Sequence, residues 1–221
     1  MDKAFWHERW QHHDIGFHQQ QIHAQLQRFW PQLNLAPQSA VFVPLAGKSR
    51  DMVWLATQGH RIIGIELSDI AVREFFAEGG QTPNETFSGQ FEIYSAGPFT
   101  LYRGDFFDLE AEVLKDVVAV YDRAALIALP PGMRAYYAET LARILPPNAI
   151  IFLVTIDYPE GDMVGPPFAV SDKEVRDLYG PAFDIQVLEA RDGLNGSANL
   201  NLQRRGATQV KETAYLLKRR T

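Results

Sequence analysis

Residues 41–56 read VFVPLAGKSRDMVWLA, which is an apolar strand, a loop with a glycine, and then a helix. This order is typical of a nucleotide-binding turn in an α/β protein. The loop nevertheless contains only Gly47, where a dinucleotide fingerprint has three glycines, and Lys48-Ser49 lack the spacing of a P-loop. A pyrophosphate needs several unhindered backbone N–H groups. The lone glycine therefore favours a ligand without phosphates, although divergent NAD sites also lose glycines.

Apolar runs alternate with helical segments along the rest of the chain. Strands are predicted at 40–45 and 61–67, in a hairpin around Gly97-Pro98, and in the segments VVAVYDRAAL, AIIFLVTID, FDIQVLEA and KETAYLLKR. Helices are predicted at 49–58 and in the segments DIAVREFFAEGG, PGMRAYYAETLARIL and SDKEVRDLY. Fully apolar strands that alternate with helices form a parallel sheet with both faces covered. A loop over 192–207 joins the last two strands without a helix, so the final strand is expected to be antiparallel.

This arrangement predicts a doubly wound, mostly parallel α/β sheet of six or seven strands, the Rossmann-like pattern of the class I methyltransferase fold. Two predicted helices, 4–12 and 18–30, precede the first strand and are rich in aromatic residues. We expect one domain over 1–221, in which residues 1–35 form an N-terminal helical lid on a core of 36–221. Ligands of such a sheet bind beyond the carboxyl ends of the strands, here after residues 45, 67, 105, 122 and 157.

Composition and charge restrict the class of partner. The chain has 221 residues, a net charge of −6 and no cysteine, which excludes disulfides, cysteine metal clusters and thiol nucleophiles. No basic patch of the kind that nucleic acid requires is present. No apolar run reaches membrane-spanning length, and no signal peptide is recognised, so a cytoplasmic protein is expected. His18 and His23 are five residues apart, a spacing that does not share one helix face, so no metal site is predicted.

Polar residues follow several predicted strands. Glu66 ends the second strand, about twenty residues after the first turn, where an acid accepts hydrogen bonds from ribose hydroxyls; a surface acid at a strand end is the alternative. Asp105 either accepts a hydrogen bond from the adenine amino group or is a simple turn residue. Asp122 and Arg123 form either a functional or a purely structural pair. Asp157 borders an acceptor pocket or turns the chain. S-adenosylmethionine is a nucleoside ligand without phosphates, and the single Gly47 suffices to pass its amino-acid tail.

Six segments together carry a family resemblance. In order they are FWHERW…GFHQ, VFVPLAGKSRDMVWLATQGH, IIGIELS, DFFDL, VYDRAALIAL and GPPF. The chain resembles thiopurine S-methyltransferase, specifically the bacterial branch, from about residue 5 to the final YLLK. The resemblance implies an S-adenosylmethionine-dependent S-methyltransferase with a seven-stranded Rossmann-like sheet, a helical N-terminal cap and a monomeric state.

The resemblance also implies roles for individual residues. Trp10 and Phe17 correspond to aromatics that close over the cofactor, and Leu45 corresponds to a backbone contact with its tail. Further implied contacts are Glu66 with the ribose, Asp105-Phe106 with the adenine edge, and Arg123 with the junction of cofactor and acceptor. Segment 195–206 departs from the mammalian pattern, so an acceptor role for Arg204 or Arg205 stays open.

The expected reaction is an in-line attack by a thiolate on the methyl group of the donor. Aromatic and heterocyclic thiols ionise near neutral pH, so a strong protein base is not required. Arg123 is expected to favour the thiolate, and Asp122 to orient Arg123. The family also suggests selenium or tellurium species as acceptors in detoxification. Two alternatives remain: a non-catalytic sensor or scaffold that binds S-adenosylmethionine or another nucleoside, and a methyltransferase for an O- or N-acceptor.

Overall fold

One nine-stranded sheet runs through the centre of the protein. The computed structural model describes residues 3–194 and 200–220. The strand order is β3-β4-β5-β2-β1-β6-β7-β9-β8. The strands are β1 (Ala40–Val43), β2 (Arg61–Glu66), β3 (Asn84–Ser88), β4 (Phe91–Ala96), β5 (Phe99–Arg103), β6 (Val117–Arg123), β7 (Ile150–Asp157), β8 (Phe183–Asp192) and β9 (Lys211–Arg219).

The predicted fold class is confirmed by the strand pairing. β5, β2, β1, β6 and β7 are parallel, whereas β9 is antiparallel to both β7 and β8. These seven strands match the predicted sheet with its reversed last strand. The sheet is longer by two strands, because β4 pairs antiparallel with β5 across the Gly97-Pro98 turn and β3 pairs with β4. All of β3 is exposed, so it has none of the apolar pattern that reveals a strand.

Helices cover both faces of the sheet, as a doubly wound fold requires. One core contains Leu26, Met52 and Val72 from helices on one face, and the other contains Tyr137 and Val175 from helices on the opposite face. The α-helices are α1 (Lys3–Gln11), α2 (Ala24–Phe29), α3 (Arg50–Thr57), α4 (Asp69–Glu78), α5 (Pro131–Ile144), α6 (Asp172–Tyr179) and α7 (Leu200–Arg204). No helix in the described part of the chain is long and apolar enough to cross a membrane.

Two local predictions were wrong. The predicted helix 18–30 begins only at residue 24, and residues 14–23 form an irregular segment. A tertiary contact replaces the helical hydrogen bonding there, because the His23 amide donates to the Asp51 carboxylate at 2.9 Å. The predicted loop 192–207 contains the short helix α7, while its residues 195–199 lie outside the described part of the chain.

Candidate active site

A cavity of about 600 Å³ opens at the carboxyl ends of the central parallel strands. Ligands bind at this edge of doubly wound sheets because the strand order reverses there. The N-terminal segment covers the cavity, and the loops after β1, β2, β5 and β6 form its floor. Every residue that the sequence predicted for cofactor binding lines it: Trp10, Phe17, Leu45, Gly47, Glu66, Asp105, Phe106 and Arg123.

The loop after β1 makes its sharp turn with a single glycine. Gly47 has φ +53° and Leu45 has φ +46°, so the chain twice enters the left-handed region that favours glycine. A Cβ atom on Gly47 would lie 3.4 Å from the Trp10 indole. The Ala46 amide donates to the Ile65 carbonyl at 2.8 Å, which ties the loop to β2. Gly47 therefore serves both the turn and the close approach of the N-terminal segment.

Glu66 joins two loops at the floor of the cavity. Its Oε2 accepts a hydrogen bond from the Gly47 amide at 2.7 Å, and its Oε1 accepts one from the Ser68 amide at 2.8 Å. Burial raises the pKa of this carboxyl, whereas the backbone donors act in the opposite direction. Each carboxylate oxygen keeps a second lone pair, so Glu66 can still accept hydrogen bonds from a ligand hydroxyl.

Aromatic rings and one ion pair hold the N-terminal segment over the cavity. Trp10 is buried, and its ring centroid lies 5.6 Å from that of Phe17, which in turn lies 5.7 Å from Trp6. Lys3 Nζ lies 2.7 Å from Asp105 Oδ2. Asp105 Oδ1 accepts a hydrogen bond from the Phe107 amide at 3.0 Å. Asp105 thus caps the start of the 3₁₀ helix Phe106–Asp108 and at the same time contacts the N-terminal helix.

The proposed pairing of Asp122 with Arg123 is wrong. Consecutive side chains of a strand point to opposite faces of the sheet, so these two residues diverge. The Asp122 carboxylate accepts hydrogen bonds from the Tyr137 hydroxyl at 2.7 Å and the Leu126 amide at 3.2 Å. It does not line the cavity, and burial raises its pKa to about 6. Asp122 supports the packing of α5 against the sheet and does not orient Arg123.

Asp51, in the first turn of α3, is the carboxylate next to Arg123, the role that was predicted from the sequence for Asp122. Its Oδ2 accepts a hydrogen bond from the Tyr121 hydroxyl at 2.8 Å and lies 3.7 Å from Arg123 Nη1. Its Oδ1 accepts the His23 amide at 2.9 Å. The carboxylate is buried, so its charge is balanced by the guanidinium and these donors. Sequence reasoning missed Asp51, because an acid in a first helical turn ordinarily reads as a helix-stabilising residue.

A second polar cluster lies at the β8–β9 end of the cavity. Arg191 and Glu212 are directly opposite each other on the two strands. Arg191 donates from Nε to Glu212 Oε1 at 2.7 Å, and His23 Nε2 lies 3.2 Å from Glu212 Oε2. Burial alone would raise the pKa of Glu212, but His23 and Arg191 lower it to about 2. These three residues line the cavity and were not identified from the sequence, where His23 and Glu212 are far apart.

The remaining candidates have other contacts. Lys48 is buried and donates to Glu74 Oε2 and Glu78 Oε1, each at 2.7 Å, so it fastens the β1 loop to α4. Arg205 lines the cavity and donates to the Pro166 and Val164 carbonyls at 2.7 Å each. The two other positions left open by the sequence lie outside the cavity lining: Asp157 and Arg204.

Solved structures of methyltransferases share this fold. An S-adenosylmethionine-dependent methyltransferase from Anabaena variabilis superposes with a TM-score of 0.65 at 12% identity, over 99% of this chain and 95% of that one. The Burkholderia thailandensis 1,6-didemethyltoxoflavin-N1-methyltransferase, solved with bound 1,6-didemethyltoxoflavin and S-adenosylhomocysteine, gives a TM-score of 0.63 at 12% identity, over 98% of this chain and 86% of that one. At this level of identity the likeness is one of fold alone.

Sequence comparison identifies the family. Thiopurine S-methyltransferase of Nitrosospira multiformis is 48% identical over 221 residues, covering both chains completely. Thiopurine S-methyltransferase of Pseudomonas fluorescens is 48% identical over 217 residues, covering 98% of this chain and 99% of the relative. The family model for thiopurine S-methyltransferase matches residues 1–220. The chain therefore belongs to the thiopurine S-methyltransferase family.

Proposed function

We propose that this protein transfers the methyl group of S-adenosylmethionine to the sulfur of a small aromatic or heterocyclic thiol. The observation that carries the proposal is the content of the cavity. A strand-end carboxylate, a loop with one glycine, two aromatic rings in edge-to-face contact and a positively charged arginine line one cavity, and the chain belongs to the thiopurine S-methyltransferase family. A cavity of about 600 Å³ is the size of a small-molecule site.

The floor of the cavity is proposed to hold the methyl donor. Glu66 accepts the ribose hydroxyls, because its oxygens keep free lone pairs at the end of β2. The backbone near Leu45 and Gly47 contacts the amino-acid tail, and Asp105 with Phe106 borders the adenine. The rings of Trp10 and Phe17 then cover the donor, since Trp10 lies against Gly47 and Phe17 packs on Trp10. These assignments give the ribose, the adenine and the amino-acid tail of the donor one contact each.

Alignment of the acceptor is proposed as the main contribution of the protein. S-adenosylmethionine supplies a methyl group already activated by the positive charge of its sulfur. Holding the acceptor in line with that methyl group can supply about 7–11 kcal/mol of the barrier. The Arg123 guanidinium favours the thiolate form of the acceptor through its positive charge. Asp51 positions Arg123, with 3.7 Å between carboxylate and guanidinium.

The walls between these polar groups suit a planar, apolar acceptor. Ile127, Met133, Val154 and Ile156 line the cavity, together with Pro166-Pro167. Aromatic and heterocyclic thiols fit such walls, while anions of selenium or tellurium are a smaller acceptor class that the arginine would favour. Acceptors that attack through oxygen or nitrogen are disfavoured, because most are protonated or weakly nucleophilic at neutral pH.

A methyl-transfer assay tests the proposal. The protein is incubated with methyl-labelled S-adenosylmethionine and a panel of heterocyclic thiols, thiophenols, selenite and phenols. We expect labelled thioethers from the thiols and little product from the phenols. Binding of S-adenosylmethionine without turnover on any acceptor would instead support a sensor or scaffold. Methylation of phenols or amines in preference to thiols would place the enzyme in another acceptor class.

The organisation of the chain is proposed on the same basis. We propose one methyltransferase domain in which the expected cap of residues 1–35 is limited to the residues before α2, because Trp10 and Lys3 contact the cavity loops, whereas Leu26 of α2 packs in the core against the sheet. The protein is expected to act as a monomer in the cytoplasm. Light scattering of the purified protein checks the first expectation, and cell fractionation checks the second.

A further inference from the structure

We propose that His23, held by Glu212, accepts the proton of weakly acidic thiols, so that the enzyme also methylates acceptors that are not ionised at neutral pH. The inference rests on the proposed methyl transfer to sulfur and adds a catalytic base to it. Three observations carry it: the partner of one imidazole nitrogen, the surroundings of the other nitrogen, and the place of the ring in the cavity.

The partner of Nε2 determines which nitrogen of His23 carries the proton. Glu212 holds Oε2 at 3.2 Å from Nε2 and is paired with Arg191 on its other oxygen, so it is an ionised acceptor. An ionised carboxylate can only accept, and Nε2 must therefore donate. In the neutral imidazole the lone pair then lies on Nδ1, which becomes the basic atom.

Nδ1 of His23 has no hydrogen-bond partner among the described residues, although the side chain is more than nine-tenths buried. Buried polar atoms are nearly always paired, because an unpaired one costs free energy. His23 also lines the cavity in which the acceptor is proposed to bind. Neighbouring atoms shield Nδ1 from the open cavity, so the proton transfer requires a shift of the ring toward a bound thiol, whose S–H group then supplies the missing partner.

The charged groups around the His23 imidazole stabilise the positive charge that the ring gains when it accepts a proton. Glu212 on β9 contacts the imidazole directly, and Arg191 on β8 contacts Glu212. Asp51 on α3 fixes the backbone amide of His23 and also faces Arg123 and the Tyr121 hydroxyl on β6. A carboxylate that orients an imidazole and stabilises its protonated form is the arrangement that activates nucleophiles in many enzymes.

The step balances without a further reactant. The S–H bond of the acceptor breaks, its proton moves to Nδ1 of His23, and its electron pair stays on sulfur. That sulfur forms a bond to the methyl carbon, while the bond between this carbon and the donor sulfur breaks and leaves its electron pair on the donor. The imidazolium, paired with Glu212, returns its proton to water after the neutral thioether leaves.

The substitution His23→Gln separates this role from a structural one. The glutamine amide reproduces the Nε2–H donor toward Glu212 but cannot take up a proton. For thiols that are protonated at pH 7, we expect kcat/KM to fall by about 100-fold, the usual contribution of a general base. For thiols already ionised at that pH, kcat/KM should change little. Equal losses for both groups of thiols would overturn the proposal.

A spectroscopic measurement tests the same proton transfer without turnover. A thiophenol is added to the complex with S-adenosylhomocysteine at a pH below the thiol's own pKa, where the free thiol is protonated, and the ultraviolet band of the thiolate is recorded. We expect the band in the unsubstituted protein and its loss in His23→Gln, with Glu212→Gln weakening it. An unchanged band in His23→Gln would contradict the assignment, whatever its activity. Titration of each variant with S-adenosylhomocysteine verifies that the cavity remains intact.

The unsubstituted protein provides a test that needs no variant. For weakly acidic thiols the pH midpoint of kcat/KM should be one value that belongs to the enzyme, whereas for acidic thiols it should follow each thiol. Midpoints that follow the thiol across the entire series would overturn the role of His23 and leave the proposed function intact. An absence of turnover with every thiol would instead refute the proposed function itself.

Discussion

Glu66 offers a direct test of the proposed donor site, because one carboxylate supports two loops and the ribose contact. Its oxygens accept from the amides of Gly47 and Ser68 at 2.7 and 2.8 Å. The substitution Glu66→Gln keeps the size of the side chain, but its amide accepts only one of these N–H groups and directs its own N–H₂ at the other. One buried backbone donor is then unpaired, which costs about 1–3 kcal/mol of unfolding free energy.

The same substitution should weaken donor binding. In the proposed binding mode the ribose hydroxyls donate to the Glu66 carboxylate, and loss of these charge-assisted hydrogen bonds costs about 1.5–3 kcal/mol. This energy corresponds to an increase of about 10- to 150-fold in the Kd for S-adenosylhomocysteine. Titration calorimetry measures the Kd, and urea unfolding measures the stability. The unsubstituted protein should bind S-adenosylhomocysteine far better than NAD.

A matched control is Glu78→Gln on α4: Glu78 lies outside the cavity lining, and its partner Lys48, which lines the cavity, keeps its contact with Glu74. It should leave the Kd for S-adenosylhomocysteine unchanged. If Glu66→Gln lowers stability but also leaves this Kd unchanged, the ribose role is refuted and Glu66 is only an anchor of the two loops. Tight NAD binding without a response to S-adenosylhomocysteine would refute the choice of donor.

Three further predictions follow from the lid and the two polar clusters. Amide hydrogen exchange near Trp10 and Phe17 should slow when S-adenosylhomocysteine is added, because their rings pack over the cavity; equal protection without ligand would make the segment fixed core. With acidic thiols, Arg123→Ala should raise the pH midpoint of turnover, because a charge that favours the thiolate is lost, and Arg123→Lys should restore only part of the effect. An unshifted midpoint would remove Arg123 from this role. Glu212→Gln should lower the unfolding free energy near pH 7 by about 3 kcal/mol, since pairing lowers the pKa of Glu212 from 4.5 to about 2 and each unit is worth about 1.4 kcal/mol. The folded-state pKa is depressed, so this stability is present above pH 4.5 and is lost as the pH falls toward 2; urea unfolding should show the difference shrink over that range, and a constant difference would contradict the pairing.

The fold was predictable from the sequence wherever burial imposes a pattern. The apolar runs of β1, β6 and β7 and the capping serines at Ser49 and Ser68 give signals that act locally. β3 gives no such signal, because its side chains are all exposed and its place depends on pairing with β4. Residues 18–23 were wrongly predicted as helical. Their sequence favours a helix, but a tertiary hydrogen bond from the His23 amide to Asp51 holds the segment in an irregular conformation.

The residues proposed to bind the donor were predictable from the sequence, whereas the cluster of His23, Arg191 and Glu212 was not. Glu66 and Arg123 are the last residues of β2 and β6, and the rule that ligands bind beyond strand ends locates them. The error at Asp122 came from treating sequence neighbours as spatial neighbours, although the pleat of a strand separates them. His23 and Glu212 meet only because the last strand folds back between β7 and β8. No local pattern encodes a contact between residues 189 positions apart.

The order of strands along the sheet has a consequence for how acceptor preference evolves. The residues proposed to hold the donor follow β1, β2 and β5, whereas Arg191 and Glu212 belong to β8 and β9, on the other side of β6 and β7. If these proposed roles hold, substitutions in the last two strands change acceptor binding and leave the donor site unaltered. A directed-evolution library confined to the cavity-facing positions of β8 and β9 should yield variants with new thiol preferences that retain parental affinity for S-adenosylhomocysteine.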